Sequence, residues 1–353
     1  MNKEIFLSKS KICCISDIHL GLHQNSSQWH DISIKWATWL RDELTRQDIF
    51  DIVISGDFFH YRDHIAVNTL QVASDILSIW KDFNIVMLVG NHDAYYKDRS
   101  DVNSLSILNR SNNITIVSSC TTVDLFGRTV SFCPWGTGIV EVSPSDIIFG
   151  HFEIASFKQT VHRVCSSGEK VDDMLEKGKL IISGHFHLRE EREYSGRTII
   201  YLGNPYEMDF SDTGNIKGYY TLDVQSMAYK FNENKLSPTH LYVSVAEYIN
   251  NKGISAEIAE NISNNFVRVV VDCNITPDNI DNLLLQISTY KPASVTTDYK
   301  NNVNQLSINR ETLTDMTALD IPTAIEDFIE LMDVDNKKEL SAYTVNLYKK
   351  CSL

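Results

Sequence analysis

The stretch NIVMLVGNHD occupies residues 84–93. Five consecutive apolar residues, Ile85 to Val89, give way at once to Gly90, Asn91, His92 and Asp93. The run is too short for an ordinary helix, is bounded by turn residues and shows no polar alternation, which is the pattern of a strand buried on both faces. Turn chemistry accounts for Gly90 and Asn91. It leaves His92 and Asp93 without a reason, so the fold must have a use for polar groups at this strand's tip.

The same design recurs. KICCISD (11–17), DIVISGD (51–57), SDIIFG (145–150) and KLIISG (179–184) are short runs rich in Ile and Val that end in Gly or Asp. Segments 27–45 and 67–82, between the first three runs, have helical periodicity. Strand, helix, strand, helix, strand is the grammar of an α/β sheet covered on both faces. TTVDLFGRTVSFCPW (121–135), REYSGRTIIYLGNP (192–205) and KGYYTLDVQSMAYKF (217–231) read as hairpins. NENKLSPTH (232–240) reads as a polar linker. Beyond it, NFVRVVVDCN, TPDNIDNLLLQIST and ASVTTDYK suggest a small β-α-β unit. Two helices are expected after Pro322: Thr323 and Glu326 fit a capping box, Ile325, Phe328, Ile329 and Met332 line one face of the first, and Leu340, Tyr343 and Leu347 one face of the second.

The bulk numbers fit this picture. A chain of 353 residues, 43% hydrophobic and 22% charged, is ordinary globular material for about two domains. Seven cysteines are scattered without CxxC spacing, and Cys13 and Cys14 are adjacent inside an apolar run, which suggests small buried thiols in a reducing compartment. Neither a signal peptide nor a bilayer-spanning stretch is apparent, so a soluble cytoplasmic protein is expected, with no membrane partner. The net charge of −14 counts against a free-standing nucleic-acid binder. Bound divalent cations or a basic partner could reverse the field locally.

Five strand ends then carry the chemistry: Asp17 and His19; Asp57 and His60; Asn91, His92 and Asp93; His151; His185 and His187. In α/β sheets ligands collect beyond the carboxyl ends of strands. Singly, Asp17 could be a helix cap, Asn91 a turn residue and His151 a satisfied core histidine. All five sets in order, each at a strand end, read as one site. Oxygen and imidazole donors without thiolate suit Mn²⁺, Fe or Zn²⁺. Seven candidates (Asp17, His19, Asp57, Asn91, His151, His185, His187) fill two ions if one carboxylate bridges, and paired ions are a standard device for hydrolysing phosphate esters.

The ordered set D-x-H, G-D, G-N-H-D, G-H, G-H-x-H resembles the calcineurin-like metallophosphoesterase superfamily over about residues 11–223. SDIHLG, SGDFFH and YLGNPYEMDFSDTGNIKGYYTLD are similar to SbcD-type recombination and repair nucleases, especially versions encoded by large phages. The resemblance implies a two-sheet sandwich flanked by helices (1–232), a small α+β capping domain that recognises DNA (233–318), and C-terminal helices that dock on an SMC-like ATPase (319–353). It also implies Mn²⁺ at two positions, one held by Asp17, His19 and His187, the other by Asn91, His151 and His185, with Asp57 bridging. His92 would serve the leaving oxygen, Asp93 would orient His92, and His60 would place the phosphodiester; a plain surface role is the alternative for His60. His23, His30, His64, His162 and His240 match no motif and read as ordinary. Trp29, Trp36 and Trp39 read as core, part of which the family's homodimer would use.

The expected function is a Mn²⁺-dependent DNA nuclease, exonuclease or endonuclease, acting in the cytoplasm (the host's, if phage-encoded). A phosphatase or cyclic-nucleotide phosphodiesterase is the first alternative; against the protein phosphatases stands GDFFHYRD where they carry GDxVDRG. A scaffold without catalysis is the second, and the filled ligand positions weigh against it.

Overall fold

The computed structural model describes residues 4–108, 112–161, 163–273, 277–300, 329 and 336–351. Its centre is a pair of six-stranded mixed sheets. In the first, β1 (Lys11–Ile15), β2 (Asp51–Ile54), β3 (Asn84–Leu88) and β4 (Ile114–Val117) run parallel, and the hairpin of β13 (Gly218–Asp223) and β14 (Tyr229–Glu233) joins antiparallel beside β1. In the second, β6 (Arg128–Cys133), β7 (Ser145–Gly150), β10 (Gly178–Ser183) and β12 (Arg197–Tyr201) run parallel. Here β5 (Thr121–Leu125) and β11 (Glu190–Tyr194) form antiparallel edges. A two-stranded ribbon, β8 (Lys158–Thr160) and β9 (Arg163–Val164), lies outside both.

Alternation along each strand explains why the runs are apolar throughout. Ile12, Cys14, Val53, Val86 and Leu88 face Phe132, Ile147, Phe149, Leu180, Ile182 and Ile200 between the sheets. Their neighbours Cys13, Ile15, Ile52, Ile54, Ile85 and Met87 meet the helices Ser27–Arg46 and Val67–Ile79 on the outer face. The outer face of the second sheet is covered through Met174, on the helix Val171–Lys177. Cys13 and Cys14 thus point into different cores and cannot pair. The sandwich flanked by helices is the expected fold.

The five motif strands lie three in one sheet and two in the other. One expectation needs amendment. The β-α-β unit gains a third strand: β15 (His240–Ser244), β16 (Phe266–Val271) and β17 (Ser294–Tyr299) form a parallel sheet with the helix Pro277–Thr289. That sheet rests on Trp29, whose ring stacks on Phe266 at 5.2 Å, and His240 stacks on the Phe266 ring at 4.8 Å. Trp36 is fully buried against Trp80, and Trp39 meets Tyr219 edge-on.

Residues 1–299 form one compact unit and 300–353 another. The second contains the helix Lys337–Cys351, on which Leu340 and Tyr343 are exposed. The other expected C-terminal helix lies outside the described residues apart from Ile329, which is helical. His162 also lies outside them. No helix among the described residues is long and apolar enough to cross a membrane.

Candidate metal centre

The chain leaves β1, β2, β3, β7 and β10 at the same end of the sandwich, and the loops that follow are laced together by backbone hydrogen bonds. Asp17 N donates to Gly56 O (3.1 Å), His19 N to Asp57 O (3.0 Å), and Gly184 N to Gly150 O (3.0 Å). Such contact requires small residues. A Cβ on Gly90 would overlap Asp57, and one on Gly184 would overlap Ser16 Oγ and the Ser55 carbonyl. Asp17, His19, Asp57 and His185 all adopt positive φ, at 54°, 50°, 54° and 91°. Non-glycine residues rarely do so, and the strain is tolerated where surrounding structure fixes it.

The seven proposed ligands converge. Nε2 of His19 lies 3.0 Å from Nε2 of His187 and 3.6 Å from Asp57 Oδ2. Nε2 of His151 lies 2.9 Å from Asn91 Oδ1 and 3.3 Å from Asp57 Oδ2, while Nδ1 of His185 is 2.8 Å from Asn91 Oδ1. Asp57 thus stands between two groups of donors; the ligand atoms of Asp17, His19 and His187 lie close enough together to share a cation, as do those of Asp17, Asp57 and His151 and those of His19, His60 and His92. Asp17, His19, Asp57 and His151 are buried; Asn91, His185 and His187 are half-buried. The open side is where the remaining histidines stand. His60 and His92 are stacked at 5.4 Å and half-buried, and Nδ1 of His60 lies 3.3 Å from Nδ1 of His19.

Donor roles test whether cations fit. Nδ1 of His151 is 2.7 Å from the Ser55 carbonyl and must donate its proton there. In the neutral ring, Nε2 is then a bare lone pair facing two oxygen acceptors. Only a cation, metal or proton, relieves that opposition; the Nε2 atoms of His19 and His187, 3.0 Å apart, can share one proton or turn their lone pairs to a cation. The donor set therefore fits two divalent ions.

Electrostatics agree. Burial lowers His185 to about 3 and holds His19 well below its ordinary value. Burial also lowers His60 to about 4, reinforced by His92 and His187. Burial opposes charge on His151 too, but Asp57 outweighs it and raises the ring to about 9. Asp57 stays below the usual carboxylate range although burial works against it, because His151 and His19 favour its ionised form. Burial and the neighbouring Asp57 push Asp17 up, against the pull of His151. His19 and His185 are thus held neutral and the central carboxylate ionised, the states that metal ligation needs, while His151 holds a proton that a bound cation would replace.

One expected role is corrected. Asp93 does not hold the His92 ring: its buried carboxylate accepts from the backbone N–H groups of Phe58 (3.3 Å), Phe59 (3.0 Å) and Gly90 (3.0 Å). The carboxylate is consumed in tying the β2 loop to the β3 loop. His92 Nδ1 instead donates to the carbonyl of His60 at 2.6 Å, and His92 N–H donates to Asp57 Oδ1 at 2.8 Å. Of the histidines read as ordinary, His23 bonds the Met208 carbonyl (2.8 Å), His30 bonds Thr69, His64 pairs with Asp63 at the surface, and His240 bonds Glu207. Trp135 was not anticipated: its ring packs 5.1 Å from His185 and 6.0 Å from His151, walling one side of the centre. Its position just after β6, beside another strand end, was the available signal.

With the fold and the ligand geometry in view, the class of protein follows. Residues 10–189 match the calcineurin-like phosphoesterase family, and the chain belongs to it. No curated protein matches the chain. Among solved structures the chain is similar to one described as "Structural and Functional Characterization of a Novel Archaeal Phosphodiesterase". Identity is 14% and the TM-score 0.36, over 64% of this chain and 99% of that one.

Proposed function

We propose that the chain is a two-metal phosphodiesterase acting on DNA, the catalytic subunit of a recombination and repair nuclease. The observation that carries the phosphodiesterase reading is the pair of half-buried imidazoles, His60 and His92, at the open side of the seven-ligand cluster. Two divalent cations there, Mn²⁺ in this proposal, would polarise the phosphoryl oxygens and supply a nucleophile at neutral pH. One ion is assigned to Asp17, His19 and His187, the other to Asn91, His151 and His185, with Asp57 shared. With its Nδ1 proton committed to the His60 carbonyl, His92 can carry a second proton only on Nε2. That N–H is the group suited to protonate a leaving oxygen. The His60 ring, lodged against His19 and His92, is placed to orient the diester.

The DNA reading is supported by the resemblance of SDIHLG, SGDFFH and the segment 201–223 to SbcD-type nucleases. The partners proposed are DNA, a second copy of the chain, and an SMC-like ATPase met through the C-terminal helices; the exposed Leu340 and Tyr343 favour the last. The three-stranded sheet is the proposed DNA-recognition cap. The net charge of −14 favours a second reading, a small or cyclic phosphodiester as substrate, which needs no basic footprint.

Incubation with Mn²⁺ and end-labelled linear duplex, alongside bis(p-nitrophenyl) phosphate, separates the two. The assay is run with and without the candidate ATPase, using Asp17→Ala and His92→Ala as controls. Release of labelled nucleotides that both substitutions abolish is expected. Brisk cleavage of the small diester with no nucleotide release in any lane would sink the DNA reading.

A further inference from the structure

Between β12 and β13 the chain runs as a strap, residues 202–217, against the loops that carry the metal centre. It holds a buried ion pair: Lys217 and Asp212 are 5% and 2% exposed, with Nζ 2.8 Å from Asp212 Oδ1. The other carboxylate oxygen accepts from Asn204 Nδ2 (2.8 Å) and Met208 N (2.9 Å). Lys217 Nζ has a second acceptor, the carbonyl oxygen of His187, at 2.7 Å. Asn204 N donates to that same carbonyl at 3.2 Å. Further along the strap, Tyr206 donates its hydroxyl proton to the carbonyl of Ile18 at 3.0 Å.

Ile18 sits between Asp17 and His19, beyond the end of β1 in the first sheet. His187 follows β10 in the second. The strap therefore grips one carbonyl on each side of the seam between the sheets, and both carbonyls belong to the loops that supply Asp17, His19 and His187. His151, in the other group, is held differently, through the Ser55 carbonyl. As a source of stability a buried ion pair is poor, since desolvating both charges cancels most of their attraction and an apolar pair does as well. An apolar pair has no proton to give the His187 carbonyl.

We propose that Lys217 is a positioning residue for one metal position: oriented by Asp212, it fixes the His187 backbone, and with Tyr206 it sets the spacing of the Asp17, His19 and His187 ligands. The proposal rests on the assignment of those three residues to one ion.

The test is Mn²⁺ binding by the full chain without substrate, followed by calorimetry and by the Mn²⁺ electron paramagnetic resonance signal, with thermal melts of the metal-free protein alongside. Removing both charges together, in Lys217→Met with Asp212→Asn, leaves no uncompensated ion. We expect that variant to fold and to bind one of its two ions about 10- to 100-fold more weakly, as loss of groups supporting metal ligands typically does. The other affinity should fall less, since two of its three own ligands, Asn91 and His151, come from loops that these strap contacts do not reach. Lys217→Gln with Asp212→Asn returns a donor to the His187 carbonyl and should recover most of the loss. Tyr206→Phe should weaken the same ion. Unchanged affinities, or equal weakening of both ions that tracks the melting temperature and is not recovered by the Gln variant, would overturn the positioning role alone. Fewer than two ions bound by the unmodified chain would overturn the metal assignment and this proposal with it.

Discussion

At the scale of the residue, His92 and Asp93 are neighbours with unrelated tasks. His92→Ala should lower kcat by about 10²- to 10⁴-fold, the range for losing a general acid. Metal stoichiometry should be retained, since the residue is not among the seven ligands; loss of an ion in calorimetry would move His92 into the metal shell. Asp93→Ala should act on stability instead. It strands three buried backbone N–H groups, each costing about 1–3 kcal/mol, so urea denaturation should show a loss of about 3 kcal/mol or more. A fully stable Asp93→Ala protein with depressed kcat would restore the orienting role. Away from the metals, Cys120 and Cys133 lie with sulfurs 3.8 Å apart. The thiol of Cys133 hydrogen-bonds to Cys120 and lowers it to about 7, while Cys133 is driven up. The thiolate is the reactive form, so iodoacetamide should label Cys120 with a rate that rises through about pH 7. In Cys133→Ala the midpoint should return toward the ordinary thiol value near 8.5. A midpoint unaffected by that substitution would count against the thiol contact.

At the scale of the element, the centre depends on loops that meet without side chains between them. Gly90→Ala and Gly184→Ala each set a Cβ against neighbouring loop atoms, so both should lose metal binding in calorimetry along with thermal stability. Normal Mn²⁺ affinity in either variant would contradict the close approach. These glycines also show why so much of the site could be read in advance. An Ile/Val run that stops at Gly and then offers Asp, Asn or His is a local pattern, and five of them in order left little freedom in the ligand set. Contacts made by backbone atoms have no such pattern. Nothing in GNHD or GDFFH marks the His60 carbonyl as the partner of His92, and an acidic neighbour was the natural but mistaken choice. The Lys217 and Asp212 pair was hidden for a related reason, since surface lysines and aspartates look the same in a sequence. Strand β15 was obscured by the polar stretch before it, and acquires its register only from β16.

At the scale of the molecule, folding and metal binding are linked. Ligand bound only by the native state stabilises it by RT ln(1 + [L]/Kd), about 2.7 kcal/mol per site at a hundredfold excess over Kd. Mn²⁺ should therefore raise the melting temperature and EDTA should reverse the gain, while Asp57→Asn, lacking the shared carboxylate, should show little of it. A melt indifferent to Mn²⁺ would be incompatible with a resident metal pair. The same linkage bears on the charge of −14, because two divalent ions would add four positive charges at the one end of the sandwich where an anionic ester would arrive.

Each proposed donor group draws on both sheets, the first on the loops after β1 and β10 and the second on those after β3, β7 and β10, so the gap across the sandwich would set how tightly each group closes. A bulkier side chain in the core between the sheets, such as Val86→Leu in the cluster that holds Phe149 and Ile147, needs only to spread the layers by a few tenths of an ångström to open both donor groups. The metal centre is in that sense a gauge mounted across the seam, registering swelling of the core while every strand is still paired.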